Sequence, residues 1–318
     1  MQLEKLISEV KNKNKRAISK GISLIENENE LSEEFLKSIH QLTGKAYKIG
    51  ITGPPGAGKS TLTNELTKLL VKQNKSVGII AVDPTSPFTG GAVLGDRIRM
   101  NEIGMMENVF IRSMATRGSL GGLSRKTIDS ADIIDAASFD YIIFETVGVG
   151  QSELEIAKTA DTTIVVLVPE SGDSVQAMKA GLMEIADLFI MNKADRPGAD
   201  SAVLSLQTIL GLKDHDEFTY FSKIIKCVAS NSIGIEEVLT EIDKHHKYLV
   251  EAGKFHKNRE KNLQIRIKEL VEIKIKNEIW NDERKDLLNG KIINQNKSPY
   301  IIAENIVNHY KKELKSDK

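Results

Sequence analysis

Gly50-Ile-Thr-Gly-Pro-Pro-Gly-Ala-Gly-Lys-Ser-Thr61 is the stretch that decides the fold. It satisfies G-x-x-x-x-G-K-[ST] at Gly53, Gly58, Lys59 and Ser60, a spacing that wraps backbone N–H groups around phosphate oxygens. Glycines stand where the backbone must approach its ligand closely. The turn Gly53-Pro54-Pro55-Gly56-Ala57-Gly58-Lys59-Ser60-Thr61 is therefore expected to cradle a nucleoside triphosphate. Lys59 would reach the β- and γ-phosphates, and the Ser60 hydroxyl would hold Mg²⁺. On its amino side, Tyr47-Lys-Ile-Gly-Ile-Thr52 predicts a strand running into the loop. On its carboxyl side, Thr61-Leu-Thr-Asn-Glu-Leu-Thr-Lys-Leu-Leu70 predicts a helix whose positive N-terminal end favours phosphate.

Outward from the loop, strand-like apolar runs recur between helical patterns. They are Lys48–Thr52, Val77–Val82, Val109–Arg112, Tyr141–Phe144, Thr163–Val168, Leu188–Met191 and Ile224–Val228. Several are apolar on both faces, as parallel strands covered by helices must be. This alternation predicts an α/β fold with a doubly wound, mostly parallel sheet of the P-loop NTPase kind. Ligands in such sheets sit at the carboxyl ends of the strands, and the polar motifs fall there. Residues 1–46 predict a helical extension, with apolar positions at Leu3, Ile7 and Val10, then Leu36, Ile39 and Leu42, and a stop at Gly44. Residues 47–235 form the expected nucleotide-binding domain, and 236–318 a helical region. In that last region Leu263, Ile265, Ile267, Leu270, Ile273 and Ile275 mix a helical stripe with near-alternation, which fits either a lid on the domain or an arm reaching a second subunit.

Bulk composition narrows the class. A chain of 318 residues, 40% hydrophobic, can bury a sizeable core. Forty-four basic residues balance 44 acidic ones, which argues against nucleic acid or an anionic membrane as main partner. The single cysteine, Cys227, excludes an internal disulfide framework. No secretory leader and no 18-residue apolar run is visible, so a cytoplasmic location is expected.

Met191-Asn192-Lys193-Ala194-Asp195 follows a strand-like run and matches N-K-x-D. An Asp195 carboxylate can accept both guanine N1–H and N2–H₂, a donor pair adenine lacks. Asn192 can bond the purine edge, and the Lys193 stem can lie on its face. GTP and GDP are thus the expected nucleotides. Val228-Ala229-Ser230, with Ala229 at its centre, would supply a backbone contact to the guanine oxygen. Asp83 and Glu145 each end an apolar strand, where an acid can hold Mg²⁺ directly or through water. Asp96 closes the Pro/Gly/Thr-rich stretch Asp83–Asp96 and is a candidate second metal ligand or water-orienting group. In Glu145-Thr-Val-Gly-Val-Gly-Gln151, a backbone N–H near Gly148 would follow the γ-phosphate, and Gln151 is a weaker water-orienting candidate. Arg97, Arg99, Arg112 and Arg117 offer a possible internal arginine finger, each with a surface ion pair as the alternative.

Together, GITGPPGAGKSTL, AVDPTSPFTGGAVLGDRIRM, GSLGGLSRKT at 118–127, FDYIIFETVGVGQSE at 139–153, and VPESGDSVQAMKAG followed by MNKAD resemble the MeaB/ArgK family of GTPases over residues 47–235. The resemblance implies a dimeric, SIMIBI-like P-loop GTPase associated with methylmalonyl-CoA mutase or another adenosylcobalamin-dependent acyl-CoA mutase. It implies a chaperone that assists cofactor loading, protects the mutase and couples hydrolysis to release of damaged cofactor. By position, Lys59 and Ser60 match the phosphate and Mg²⁺ contacts. Asp83, Asp96 and Glu145 match the acids around metal and switches, and Asn192, Lys193 and Asp195 match the base-reading set. Pro169–Lys179 resembles an additional switch loop, with Asp173 and Lys179 answering to the mutase, and the C-terminal helices imply a homodimer. The chain departs from the family at Val228-Ala229-Ser230, where Thr-Ser-Ala is usual. Three other functions stay open: an ArgK-like nucleotide-dependent kinase, a nickel metallochaperone-type GTPase, and a nucleotide-gated binding module with negligible turnover.

Overall fold

Seven strands form: β1 (Tyr47–Thr52), β2 (Val77–Asp83), β3 (Val109–Ala115), β4 (Tyr141–Thr146), β5 (Thr162–Leu167), β6 (Leu188–Met191) and β7 (Lys223–Lys226). They make one all-parallel sheet in the order β3-β2-β4-β1-β5-β6-β7. The computed structural model describes residues 2–83, 100–115, 125–146, 152–171, 180–212, 220–280, 284–285 and 298–316. Two compact units are present, Met1–His256 and Lys257–Lys318.

Helices of the described residues begin with α1 (Gln2–Lys11), α2 (Lys15–Glu26), α3 (Ser32–Ile39), α4 (Lys59–Lys72), α5 (Asn101–Gly104) and α6 (Arg125–Ala136). They continue with α7 (Ser152–Thr159), α8 (Ala180–Ile185), α9 (Ala199–Gly211), α10 (Ile235–Glu251), α11 (Lys254–Ile279) and α12 (Pro299–Ser316). Among the described residues no helix is long and apolar enough to cross a membrane.

The central strands are buried on both faces, which is why they read as unbroken apolar runs. Leu62, Leu66 and Leu70 of α4 lie on one helical stripe and pack with Ile49, Ile51 and Ile79 under Val238 and Ile242 of α10. Burying each such leucine stabilises the fold by about 1.5–3 kcal/mol, an upper figure. Ile80, Val82, Ile142 and Phe144 point the other way, into a core with Ile133 and Ile134 of α6 and Ile18, Ile22 and Phe35 of the N-terminal helices. That second core is closed by one carboxylate. Buried Asp135 accepts the backbone N–H groups of Gly44, Lys45 and Ala46 at 2.8, 3.0 and 3.0 Å, fixing the entry to β1.

At the amino ends of the strands a polar chain runs from buried Tyr47, Thr162 and His245 out to half-buried Asp187. Tyr47 Oη and Thr162 Oγ1 are 2.5 Å apart, and Thr162 Oγ1 is 2.8 Å from His245 Nδ1. The other ring nitrogen is 3.4 Å from Asp187 Oδ1, while Asp187 Oδ2 accepts the Thr163 N–H at 2.7 Å. Burial lowers His245 to about 4 and raises Asp187 to about 7.

In the second unit, α11 buries none of its residues, and Leu263, Ile267, Val271 and Ile275 form an exposed row spaced four apart. Buried Arg284 donates to the backbone carbonyls of Glu278 and Ile279, which end α11, and to the Glu313 carboxylate on α12. Its guanidinium also lies over the Tyr310 ring.

Candidate functional site

The loop Gly53–Gly58 joins β1 to α4 at the carboxyl edge of the sheet, where the strand order reverses about β1 and β4. Two of its glycines are dictated by their surroundings. Gly53 has φ +135°, and a Cβ there would lie 2.1 Å from the backbone oxygen of Val166 in β5. Gly58, at φ +89°, begins α4, and a Cβ there would lie 2.2 Å from Asn192 Nδ2. Pro55 and Gly56 are exposed, Ala57 is buried, and nothing stands within 4 Å of a Cβ built on Gly56. Lys59 is buried, its ammonium donating to the carbonyl oxygens of Gly53 and Pro54 at 2.8 and 3.0 Å. Thr61 is exposed on the first turn of α4.

Ser60 donates its hydroxyl to Glu145 Oε1 at 2.5 Å. Glu145, 4% exposed, sits in register between Ile51 of β1 and Ala81 of β2, so strand pairing sets it beside the loop. A hydroxyl and a carboxylate are hard oxygen donors, the type Mg²⁺ takes when phosphates and waters complete its shell. Asp83 closes β2 in the same sheet edge. Among the described residues no group of three or more His, Cys, Asp or Glu is placed to hold a metal ion. Asp96, Gly148, Asp173 and Lys179 lie outside the described residues, as do Arg97, Arg99, Arg117 and Gln151.

The N-K-x-D segment leaves β6 and turns back over the phosphate loop. Asn192 is buried; its Nδ2 donates to Ala57 O at 2.8 Å and its Oδ1 accepts the Ala229 N–H at 3.0 Å. The amide thereby braces the phosphate loop against the turn at Ala229, with one of its two N–H donors used. Lys193, at φ +56°, sends its ammonium to Gly56 O at 2.8 Å, which lays its stem across the loop. Asp195 is exposed, and no hydrogen bond or ion pair among the described residues engages its carboxylate.

Several contributors carry no motif. Buried Thr146 donates to buried Thr52 at 2.9 Å, pinning β4 to the residue that enters the loop. Ser232 donates to Glu65 Oε2 at 2.7 Å and so ties α4 to the turn after Ala229. Burial alone would raise Glu65, but the hydrogen bonds from Ser232 and Lys68 bring it below the usual carboxylate value. Arg112 proves to be structural: it sits inside β3, pairs with Glu26 and donates to Ser23 Oγ at 3.2 Å, serving α2 rather than a triphosphate.

The family model described as "Methylmalonyl Co-A mutase-associated GTPase MeaB" matches residues 18–284. A Pyrococcus horikoshii protein named as a GTPase is 45% identical over 306 residues, covering 95% of this chain and 96% of that protein. The GTPase ArgK of Escherichia coli is 34% identical across 80% of this chain and 77% of its own length. The methylmalonic aciduria type A homolog, mitochondrial, of Mus musculus is 31% identical over 76% of this chain. Among solved structures, that of an LAO/AO transport system kinase superposes with a TM-score of 0.74 at 25% identity, covering 97% of both chains.

Proposed function

The chain belongs to the family of methylmalonyl-CoA mutase-associated GTPases, and from that premise we propose that it is a GTP-driven chaperone for an adenosylcobalamin-dependent acyl-CoA mutase. The client chemistry is that of methylmalonyl-CoA mutase, with GTP turnover timing cofactor loading and protection in the cytoplasm. The observation that carries the nucleotide half of the reading is the bond from Asn192 to Ala57, which joins the phosphate loop to the N-K-x-D turn.

In this reading, backbone N–H groups of Gly53–Gly58 and the Lys59 ammonium bind the phosphates, and Asp195 selects guanine. Ser60 and Glu145, with Asp83 and Asp96, would hold Mg²⁺, which neutralises charge on the β- and γ-phosphate oxygens when bound. Gly148 would follow the γ-phosphate, and Asp173 and Lys179 would face the mutase. Residues 236–318 would serve as a dimerisation arm, a second copy covering Leu263, Ile267, Val271 and Ile275. Slow intrinsic hydrolysis is expected where no arginine finger is committed to the transition state.

The test is co-purification with a cobalamin mutase, followed by phosphate release from GTP and ATP with and without it. Complex formation and faster GTP turnover are expected; no complex and no rate change would remove the client. Marked ATP preference would remove the guanine assignment.

A further inference from the structure

Glu170 and Arg196 form an ion pair that joins two loops beside the proposed base site. Glu170 lies in the 3₁₀ turn Pro169–Ser171, which leaves β5; Arg196 directly follows Asp195. The guanidinium holds the Glu170 carboxyl below the usual carboxylate range, and the Lys193 ammonium adds to that field. The Arg196 N–H donates to Lys193 O at 3.0 Å, closing a tight turn from which Asp195 and Arg196 both project.

That turn sets a problem of self-competition. Asp195 must keep both carboxylate oxygens open to read two adjacent N–H donors, yet two cationic residues, Lys193 and Arg196, flank it in the turn. Lys193 is anchored on Gly56 O. Arg196 has the fork geometry that matches a carboxylate best, the same geometry guanine presents with its N1–H and N2–H₂ edge. A guanidinium one residue away would occupy the site meant for the base unless another carboxylate held it.

We propose that Glu170 is a specificity-positioning residue: by holding Arg196 it keeps that guanidinium off Asp195 and leaves the Asp195 carboxylate open to guanine. The proposal rests on the reading of Asp195 as the base-selecting group. It makes guanine affinity follow the position of the Pro169–Ser171 turn, since movement of that turn takes Glu170 away and releases Arg196.

The test compares binding of a fluorescent GDP analogue to the full chain and to Glu170→Ala, Arg196→Ala and the double variant. Glu170→Ala should weaken binding about twofold to fivefold, the scale of an exposed ion pair. Arg196→Ala should bind as the unsubstituted chain does, and the double variant should regain the lost affinity. That rescue separates competition by a released guanidinium from simple loss of turn shape. A double variant as weak as Glu170→Ala overturns the proposal, and so does full affinity in Glu170→Ala. Asp195→Asn is run in parallel for preference between guanosine and xanthosine nucleotides. An unchanged preference there removes the base-reading assignment itself, a failure distinct from that of Glu170.

Discussion

Asn192 donates a side-chain N–H to the carbonyl oxygen of Ala57 over 2.8 Å, across 135 residues of chain. One amide therefore sets the distance between the loop that meets phosphate and the loop that meets the base. Asn192→Ala leaves both Ala57 O and the Ala229 N–H buried without a partner. A stability loss of about 1–3 kcal/mol is expected, with weaker GDP binding. Urea unfolding with and without nucleotide measures both; a stability within 0.5 kcal/mol of the unsubstituted chain, by the usual scatter of neutral substitutions, would refute the brace.

Gly53 and Gly56 predict opposite outcomes for the same substitution. In Gly53→Ala the new methyl meets a backbone oxygen 2.1 Å away, so β1 and β5 must separate, and loss of nucleotide binding is expected. Gly56→Ala meets nothing within 4 Å and suffers only from its φ of +76°, a cost of about 1–2 kcal/mol. Thermal unfolding of the two variants side by side checks the contrast.

Asp135 gathers three backbone N–H groups on one buried carboxylate. Asp135→Asn supplies one acceptor oxygen and adds two donors facing donors. Destabilisation of about 1–3 kcal/mol is expected, together with faster hydrogen exchange at Gly44, Lys45 and Ala46. Unchanged protection at those amides would contradict the clasp.

His245 and Asp187 give stability a pH dependence with two opposed parts. Burial holds His245 neutral, so it binds fewer protons folded than unfolded. Its contribution is complete above 6.5 and is lost as pH falls towards about 4. Asp187, raised by burial to about 7, binds more protons folded; its contribution is complete below 3.8 and is lost as pH rises to about 7. Asp187→Asn removes the second part. Its stability should therefore fall more steeply on acidification from pH 6.5 to 5, by a few tenths of a kcal/mol per pH unit, since solvent reaches the Asp187 side chain. Equal slopes in urea titrations at the two pH values would exclude the opposition.

The strands were legible wherever both faces are buried. Leu188–Met191 matches residue for residue. β3 runs on to Ala115, past the expected end at Arg112, because Arg112 and Ser113 interrupt the apolar run while the backbone keeps pairing with β2. α2 owes its start to Asn14, whose side chain accepts the N–H groups of Arg16 and Ala17, a cap that apolar spacing alone does not reveal. The phosphate loop and the N-K-x-D turn were legible because each is local in sequence. The bonds between loops were not: Thr146 to Thr52 spans 94 residues and Asn192 to Ala57 spans 135, so both depend on strand order.

The clasp of Asp135 on Gly44 spans 91 residues, and this bears on how the chain is made. The N-terminal helices leave the ribosome well before the residues that cover their apolar side, Ile133 and Ile134 among them, have been joined to the chain. At roughly 5–20 residues per second, that interval lasts roughly 5–20 s. For that time α2 and α3 carry an uncovered greasy stripe, so the nascent chain, rather than the finished protein, is where a holding chaperone has most to do.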